Sequence, residues 1–533
     1  MRRSQMHNFA HVPAPKIQRS GFDRSANWNG SFDEGKLVPF YCEEILLGDT
    51  FHVRANVFAR MTSALVVPAM ANLTLFTHFF FVPNRLVWDN WQRFMGEQDD
   101  PDDSTDYLIP TVTVPIQGFP FESSFDTLGI PPMVAPTPRK YTVNALPFRA
   151  INLIFNQWYR DQNLQPSLPV FKGDGPDVAS TYLYDMRVNK FHDYFTSALP
   201  WTQKGTAPTI PIGNSAPVTG TIDVNSTNIN TFNYTSGTAK TGPMIFSPGT
   251  ASGGGTYNSA GVSVVGSAAP TNLSLLHPAH TVTHSLSANL SSATAVTIND
   301  LRLAFQVQRL LEAQARGGTR YTEIIQGLFG VYSPDARLQR PELLGVGSQR
   351  ININPTVQTS ESTAQSPQAN LAAFGTSLGN KHGFAKSFTE HGFIIGFVFV
   401  KSELQYQQGL EREWTRQTKY DHYWPQFAHL GEQAILNQEI YLQGNTQDED
   451  VFGYQERWAD YRYKQSLITG RMRSSYPQSL DVWHTAQDFG ALPTLSATFI
   501  MEDAPRYRDW ETDRKSTRLN SSHSVESRMP SAA

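Results

Sequence analysis

Cysteine is close to absent: Cys42 is the sole one in 533 residues. One thiol cannot close an intrachain disulfide, so stability cannot rest on oxidation, and assembly in a reducing compartment is expected. Long hydrophobic runs are missing too. The longest, Gly392–Val400 (GFIIGFVFV), falls far short of the roughly 20 residues a membrane helix needs, and it reads as a buried strand. The opening MRRSQMHNFAHVPAPK has two arginines but no apolar stretch, so no secretory signal is expected. Charged residues make up only 17%, with a net charge of -4. That excludes an overall basic signature for nucleic acid and leaves local patches as the cationic surfaces. There is no Walker A loop, no dinucleotide glycine fingerprint and no H-E-x-x-H, so phosphate transfer and zinc proteolysis lack a motif.

What is present points to a mainly β fold. Hydrophobic residues reach 40%, and Phe 33, Tyr 20 and Trp 10 supply flat rings that pack on pleated surfaces. Gly 37 and Pro 34 provide many turns. Phe51–Val57 alternates apolar and polar, the period of a half-buried strand. Leu73–Val82 is apolar on both faces, as in a sandwich interior or a subunit contact. Pro-rich connections run from Ile109 to Pro138. Helical spacing links Phe148, Ile151, Ile154, Phe155 and Trp158. A clearer helix covers Leu301–Arg316, with Asn299 as N-cap and Gly317-Gly318 as stop. A short helix is expected over Thr322–Leu328 and a last strand over Ser496–Met501.

Five segments follow from composition. Residues 1–40 begin with an extended basic arm, in which Arg2, Arg3, Lys16, Arg19 and Arg24 face one acid, Asp23, up to residue 30. Residues 41–204 and 296–506 carry the core. Between them, residues 205–295 hold only Asp223 and Lys240 as charges, amid Ser, Thr, Gly and Asn. Linkers this long are rare inside compact domains, so an inserted, projecting β-rich subdomain is expected. Residues 507–533 change character from about Arg508, with no strand period and almost no aliphatic residue. They read as a non-native tail, against the alternative of native disorder.

Each candidate for chemistry has a plainer reading. Gly375-Thr-Ser377-Leu-Gly379 spells G-x-S-x-G, but the elbow needs a buried strand before the serine and a helix after it. Polar sequence on both sides favours a surface turn, and no catalytic residue is assigned. His277, His280 and His284 cluster without an acid nearby, and solvated histidines fit better than zinc. Asp99, Asp100, Asp102, Asp103 and Asp106 offer oxygens for an interfacial divalent ion, against a solvated acidic loop. No metal or cofactor is assigned. Arg457, Arg462, Lys464, Arg471 and Arg473 interleave with Trp and Tyr. Cations that hold phosphates beside rings that stack bases suit single-strand binding; a packed β surface is the alternative. The basic arm is the stronger nucleic-acid candidate by charge, although it could equally clasp a neighbouring subunit.

Several long strings resemble the major capsid proteins of the Microviridae, in particular the gokushovirus branch. They are PNRLVWDNWQRFMGE (83–97), LRLAFQVQRLLEAQARGGTRYTEII (301–325), SPDARLQRPELLG (333–345) and EREWTRQTKYDHYWPQF (411–427), with DVWHTAQDF (481–489) in agreement. The resemblance extends to about residue 506. It implies an eight-stranded viral jelly roll with long insertion loops and a few short helices. Many copies would enclose circular single-stranded DNA in an icosahedral shell, with residues 205–295 as the host-facing protrusion. Implied partners are copies of the chain, the genome, a minor capsid or pilot protein, a small DNA-packaging protein and a host receptor, with no membrane insertion. The implied place is the virion, assembled in the bacterial cytoplasm. The departure is the tail, which replaces a proline-containing segment of the family. The rival reading is a carbohydrate-binding or carbohydrate-active β-sandwich, suggested by abundant Trp and Tyr. It would need a signal peptide or a carboxylate pair in a cleft.

Overall fold

The computed structural model describes residues 19–208 apart from 63–64, 66, 101, 114, 116–117 and 133–140. It also describes the strand backbones at 218–219, 232–236, 241–246, 262–263, 270–275 and 287–288, then 298–316, 327, 330 and 339–502 apart from 361–367, 370 and 429, and the backbone of 518–532. Two compact units result, one of residues 1–205 with 311–533 and one of residues 206–310.

In chain order the strands of the larger unit begin with β1 (Arg19–Asp23), β2 (Ala26–Asp33), β3 (Val38–Ile45), β4 (Thr50–Met61), β5 (Leu73–Pro83), β6 (Thr111–Thr113) and β7 (Thr142–Asn144). The smaller unit contributes β8 (Val218–Thr219), β9 (Phe232–Ser236), β10 (Thr241–Phe246), β11 (Val262–Ser263), β12 (Pro270–Leu275) and β13 (Ser287–Ala288). The larger unit resumes with β14 (Glu342–Arg350), β15 (Asn352–Val357), β16 (Leu371–Ser387), β17 (Gly392–Ser402), β18 (Glu432–Leu436), β19 (Val451–Glu456) and β20 (Arg518–Ala532). All the named strand pairs are antiparallel. The protein is mainly β with few helices.

Two sheets dominate. One holds six strands, ordered β1-β20-β4-β16-β15 with β2 also paired to β20; the other holds four, ordered β14-β5-β17-β3. The alternation expected over Phe51–Val57 holds and continues to the end of β4: Phe51, Val53, Ala55, Val57, Ala59 and Met61 are buried, and the residues between them are exposed. That stripe meets Leu75, Phe79 and Phe81 of β5 and Ile394, Val398 and Val400 of β17 in one core. The opposite faces of β5 and β17 also bury their side chains. Phe80, Val82, Ile395, Phe397 and Phe399 join a second core with helix Leu146–Ile154, whose Phe148, Ile151 and Ile154 face inward. This is why both strands read as continuous apolar runs: each successive residue enters a different core. Burying such a side chain stabilises by about 1.5–3 kcal/mol.

Polar anchors tie the layers. His382 lies on β16 where the register with β4 shifts, and its ring bonds Thr77 of β5 at 2.5 Å and Gln349 of β14 at 3.1 Å. Gly347 makes room, because a Cβ there would sit 1.9 Å from His382 Nδ1. A second anchor joins helix Leu146–Ile154 to the loop before Tyr182. Arg149 donates to both oxygens of Asp177 at 2.7 Å each and to the carbonyl of Val87 at 3.0 Å, while Tyr182 Oη donates to Asp177 at 2.5 Å.

His78 on β5 sits among Phe76, Phe80, Tyr159 and Phe399, with Tyr159 Oη 2.8 Å from Nδ1. Burial, with Lys401 adding repulsion, pushes its pKa down to about 4. The fold therefore prefers neutral imidazole. Stability is full above the unfolded value of about 6.5 and falls with acid until the folded group also protonates. Between those limits His78 is expected to cost about 3 kcal/mol. Denaturant midpoints at pH 7 and pH 4.5 check this: wild type should lose ground that a His78→Gln variant keeps, and parallel losses would count against it.

Several expectations need correction. The N-terminal arm is not free of packed structure, because β1 and β2 occupy residues 19–33. Phe32 is buried in the inter-sheet core, and Trp28 Nε1 donates to Thr127 O at 2.9 Å. The tail, read as lacking a strand, carries β20 between β2 and β4. A ladder is made by main-chain groups and needs no apolar period. Ser496–Met501 is no strand: Ser496 Oγ accepts from Phe499 N and caps a helical turn, Ala497–Ile500. Gly375–Gly379 is no surface turn. It runs inside β16, and Ser377, 2% exposed, donates to Arg350 O at 2.7 Å. The helix expected at 301–316 spans Ile298–Arg316, so Asn299 lies in its first turn. The main sheets contain more than eight strands, because β1, β2 and β20 extend one of them. The Thr322–Leu328 helix falls outside the described residues, save residue 327.

In the smaller unit β9–β12 form a four-stranded sheet, ordered β11-β10-β9-β12, and β8 pairs with β13. Low charge and β-branched residues suit such short antiparallel pairs.

Candidate nucleic-acid interface

Of the arm residues, Arg2, Arg3 and Lys16 lie outside the described residues. Arg19 opens β1, with its side chain also outside them, and Arg24 forms an ion pair with Glu43. Burial raises the Glu43 carboxyl while Arg24 opposes that rise. Nearby Cys42 is half-buried, and desolvation followed by Glu43 and Glu44 pushes its thiol up to about 12, far from a reactive thiolate.

The second candidate patch starts where β19 ends. Trp458 adopts φ 66°, a left-handed conformation that costs a bulky residue energy. Surrounding contacts hold it there. Its ring is buried beside Tyr423 at 5.9 Å and Tyr461 at 6.1 Å, and the Trp458 backbone N–H donates to Gln433 Oε1 at 3.2 Å. Arg457 lies over the rings of Trp458 and Phe427, 5.0 and 5.7 Å from their centroids. The chain then turns through Ala459–Tyr461, which places Arg462 and Lys464 at the surface.

Those cations have carboxylate partners within the chain. Arg462 donates to Glu456 at 2.7 Å; Lys464 donates to Glu411 at 2.7 Å and lies 3.8 Å from Glu413. The hydrogen bond it donates to Glu411 holds the Lys464 ammonium above its usual range. Arg416 pairs with Asp460 and covers Tyr461, 4.3 Å from its centroid. Arg412 reaches Glu439 at 3.3 Å, and Tyr194 Oη donates to that carboxylate at 3.0 Å. Burial raises the Glu439 carboxyl, and Arg412 works against it. A pocket of about 290 Å³ opens here, lined by Glu411, Glu413, Glu439 and Asp460 against Arg412, Arg416, Arg462 and Lys464. Equal numbers of each sign make a poor phosphate cradle, since a phosphate would have to displace a carboxylate. Arg471 and Arg473 are held differently: Arg471 lies 5.9 Å from the Tyr476 centroid, and Arg473 donates to Gln407 O at 2.7 Å.

Sequence reading found the cations and missed their counter-ions. The alternating Glu-Arg-Glu at 411–413 was the available signal, but the pairing is long-range.

The other candidates scatter. Asp103 accepts from the backbone N–H of Asp99 and Asp100 at 3.1 and 3.2 Å, closing the acidic loop on itself, and Arg93 reaches Asp99 at 3.6 Å. His277, His280 and His284 lie outside the described residues. Among the described residues no three His, Cys, Asp or Glu are placed to hold a metal ion, and no helix is long and apolar enough to cross a membrane. Ser377, buried on a sheet with its hydroxyl on a main-chain carbonyl, lacks the strand–turn–helix setting of a nucleophile.

Antiparallel sheets around two large cores, joined to ion-paired loops that carry exposed rings, define a mainly β protein of the sandwich class. The chain belongs to the phage capsid family described as "Capsid protein (F protein)", which matches residues 10–524. It is 48% identical over 508 residues to capsid protein VP1 of Bdellovibrio phage phiMH2K, covering 94% of this chain and 91% of that one. Identity to capsid protein VP1 of Chlamydia phage 1 is 41%, over 93% and 91% of the two chains. Against capsid protein VP1 of Spiroplasma virus 4 it is 37%, over 94% and 90%. This is a Microviridae capsid protein, and its family is a structural one.

Proposed function

We propose that this chain is the major shell subunit of a gokushovirus-type phage: many copies close into an icosahedral shell around circular single-stranded DNA. The observation that carries the reading is relatedness to capsid proteins along nearly the whole chain. On this reading the two main sheets carry the viral jelly roll, with β1, β2 and β20 added at one edge. The protein acts by burying surface, not by catalysis, and takes no cofactor or metal. Closed symmetry lets every contact patch find its complement. Residues 205–295 form the host-facing protrusion. Partners are further copies, the genome, a minor capsid or pilot protein, a small packaging protein and a host receptor. Assembly takes place in the bacterial cytoplasm.

Genome contact is assigned first to the basic arm. Arg24 is paired with Glu43 and Arg19 opens a strand, so Arg2, Arg3 and Lys16 are the groups best suited to meet phosphate. Arg471 and Arg473, whose partners here are a ring and a carbonyl, come second. Arg457, Arg462 and Lys464 come last. Binding through phosphate should ignore base identity and weaken with salt. Nuclease-protected single-stranded DNA in sedimenting particles is the test. Changing Arg2, Arg3 and Lys16 together to Gln should lower protected DNA by roughly tenfold through lost counter-ion release, while Arg24→Gln leaves it near wild type. Full protection in the triple variant, at normal particle yield, would make the arm a subunit clasp instead.

A further inference from the structure

The loops 411–427 and 457–464 present rings outward in one place. Trp414, Tyr420, Tyr423, Trp424, Tyr461 and Tyr463 are each between 42% and 73% exposed. Ring contacts and a hydrogen bond fix several of them. Tyr423 lies 6.3 Å from Tyr461, Tyr420 lies 6.1 Å from Phe427, and Trp424 Nε1 donates to Lys419 O at 2.6 Å. Short 3-10 turns at Arg412–Thr415, Lys419–Asp421 and Pro425–Phe427 set the backbone, the second with a capping box at Thr418 and Asp421. The face is therefore preformed, which lowers the entropy cost of docking.

From this we infer that the ring-bearing face of 411–427 and 457–464 is a contact between two copies of this chain, and this rests on the shell reading above. Area is the first argument. Aromatic side chains bury about 150–250 Å² each, so six half-exposed rings offer roughly 600 Å² of mainly apolar surface. That reaches the largest patch usual on a monomer, about 300–600 Å², and nearly fills the ~800 Å² that each partner gives to a stable interface. Charge is the second. Single-stranded DNA would need several free cations beside the rings, yet Arg416, Arg462 and Lys464 are neutralised by Asp460, Glu456 and Glu411, and Lys419 and Arg457 lie over rings of the face itself. Rings at the centre with internally balanced charges around them match the anatomy of a protein–protein contact.

Two measurements test it. The variant Trp414→Ser/Trp424→Ser removes two exposed rings and one loop hydrogen bond, Trp424 Nε1 to Lys419 O, so its melting temperature should stay within a few degrees of wild type. Its yield of sedimenting particles should fall roughly tenfold or more, as expected for central aromatic contacts. In parallel, a photo-crosslinking amino acid at position 424 in otherwise wild-type particles should join two capsid chains. Wild-type yield from the double variant would overturn the inference. So would crosslinks to DNA alone, which would make the face a base-stacking surface, or to another phage protein alone. If the wild-type chain itself forms no particles, the shell reading fails first, a result distinct from particles that assemble without this contact.

Discussion

Replacing Asp177 by Asn should destabilise the subunit by about 3–5 kcal/mol, the usual cost of leaving a buried charge without its partner. Arg149 is fully buried and Asp177 nearly so, with side chains 0% and 3% exposed. In the native chain the guanidinium fork matches both carboxylate oxygens, and Val87 O and Tyr182 Oη complete the network. Asparagine keeps the shape but supplies one acceptor and no charge. The guanidinium then stays in a low-dielectric site, or the helix that carries it shifts away from the core. The double replacement Arg149→Met/Asp177→Leu should recover much of the loss, because apolar residues of similar volume need no counter-ion. Denaturant midpoints of the wild type and the two variants decide the matter. An Asp177→Asn midpoint within error of wild type would show that water reaches the site.

The second large effect concerns residues 205–295. Replacing them with a short Gly-Ser loop should leave the β core folded and particles assembling, while attachment to host cells falls to background. The motive is architectural: residues 206–310 form a unit of their own, and the surrounding chain carries its own cores. A flexible closure of this kind adds little loop entropy. Circular dichroism and sedimentation report the first half, and cell-binding assays the second. Insoluble product would place the insert in the core, and unchanged attachment would move the receptor site elsewhere.

Much of the fold was readable in the sequence because it rests on local period. The alternation of Phe51 to Val57, the double-sided run of β5 and the continuous run of β17 each state how many faces are buried. The misreadings arose where distant residues decide. Gly375–Gly379 has the composition of a turn, yet pairing with β4 and β15 makes it strand. Ser496–Met501 has too few residues for its period to distinguish strand from helix, and one capping hydroxyl settles it. Phe32 and Trp28 lie in the stretch read as an arm, but their partners lie far along the chain. The candidate interface shows the same division. Arg462 and Lys464 were visible as cations, whereas Lys464 finds Glu411 across 53 residues and Arg416 finds Asp460 across 44. No spacing rule reaches that far.

Electron microscopy of the purified chain, expressed alone or with its phage partners, tests the central claim most directly. The account predicts closed, uniform icosahedral particles, with the two-sheet core in the wall and density for residues 205–295 outside it. Monomers that bind glycans and form no shell under any assembly condition would contradict it.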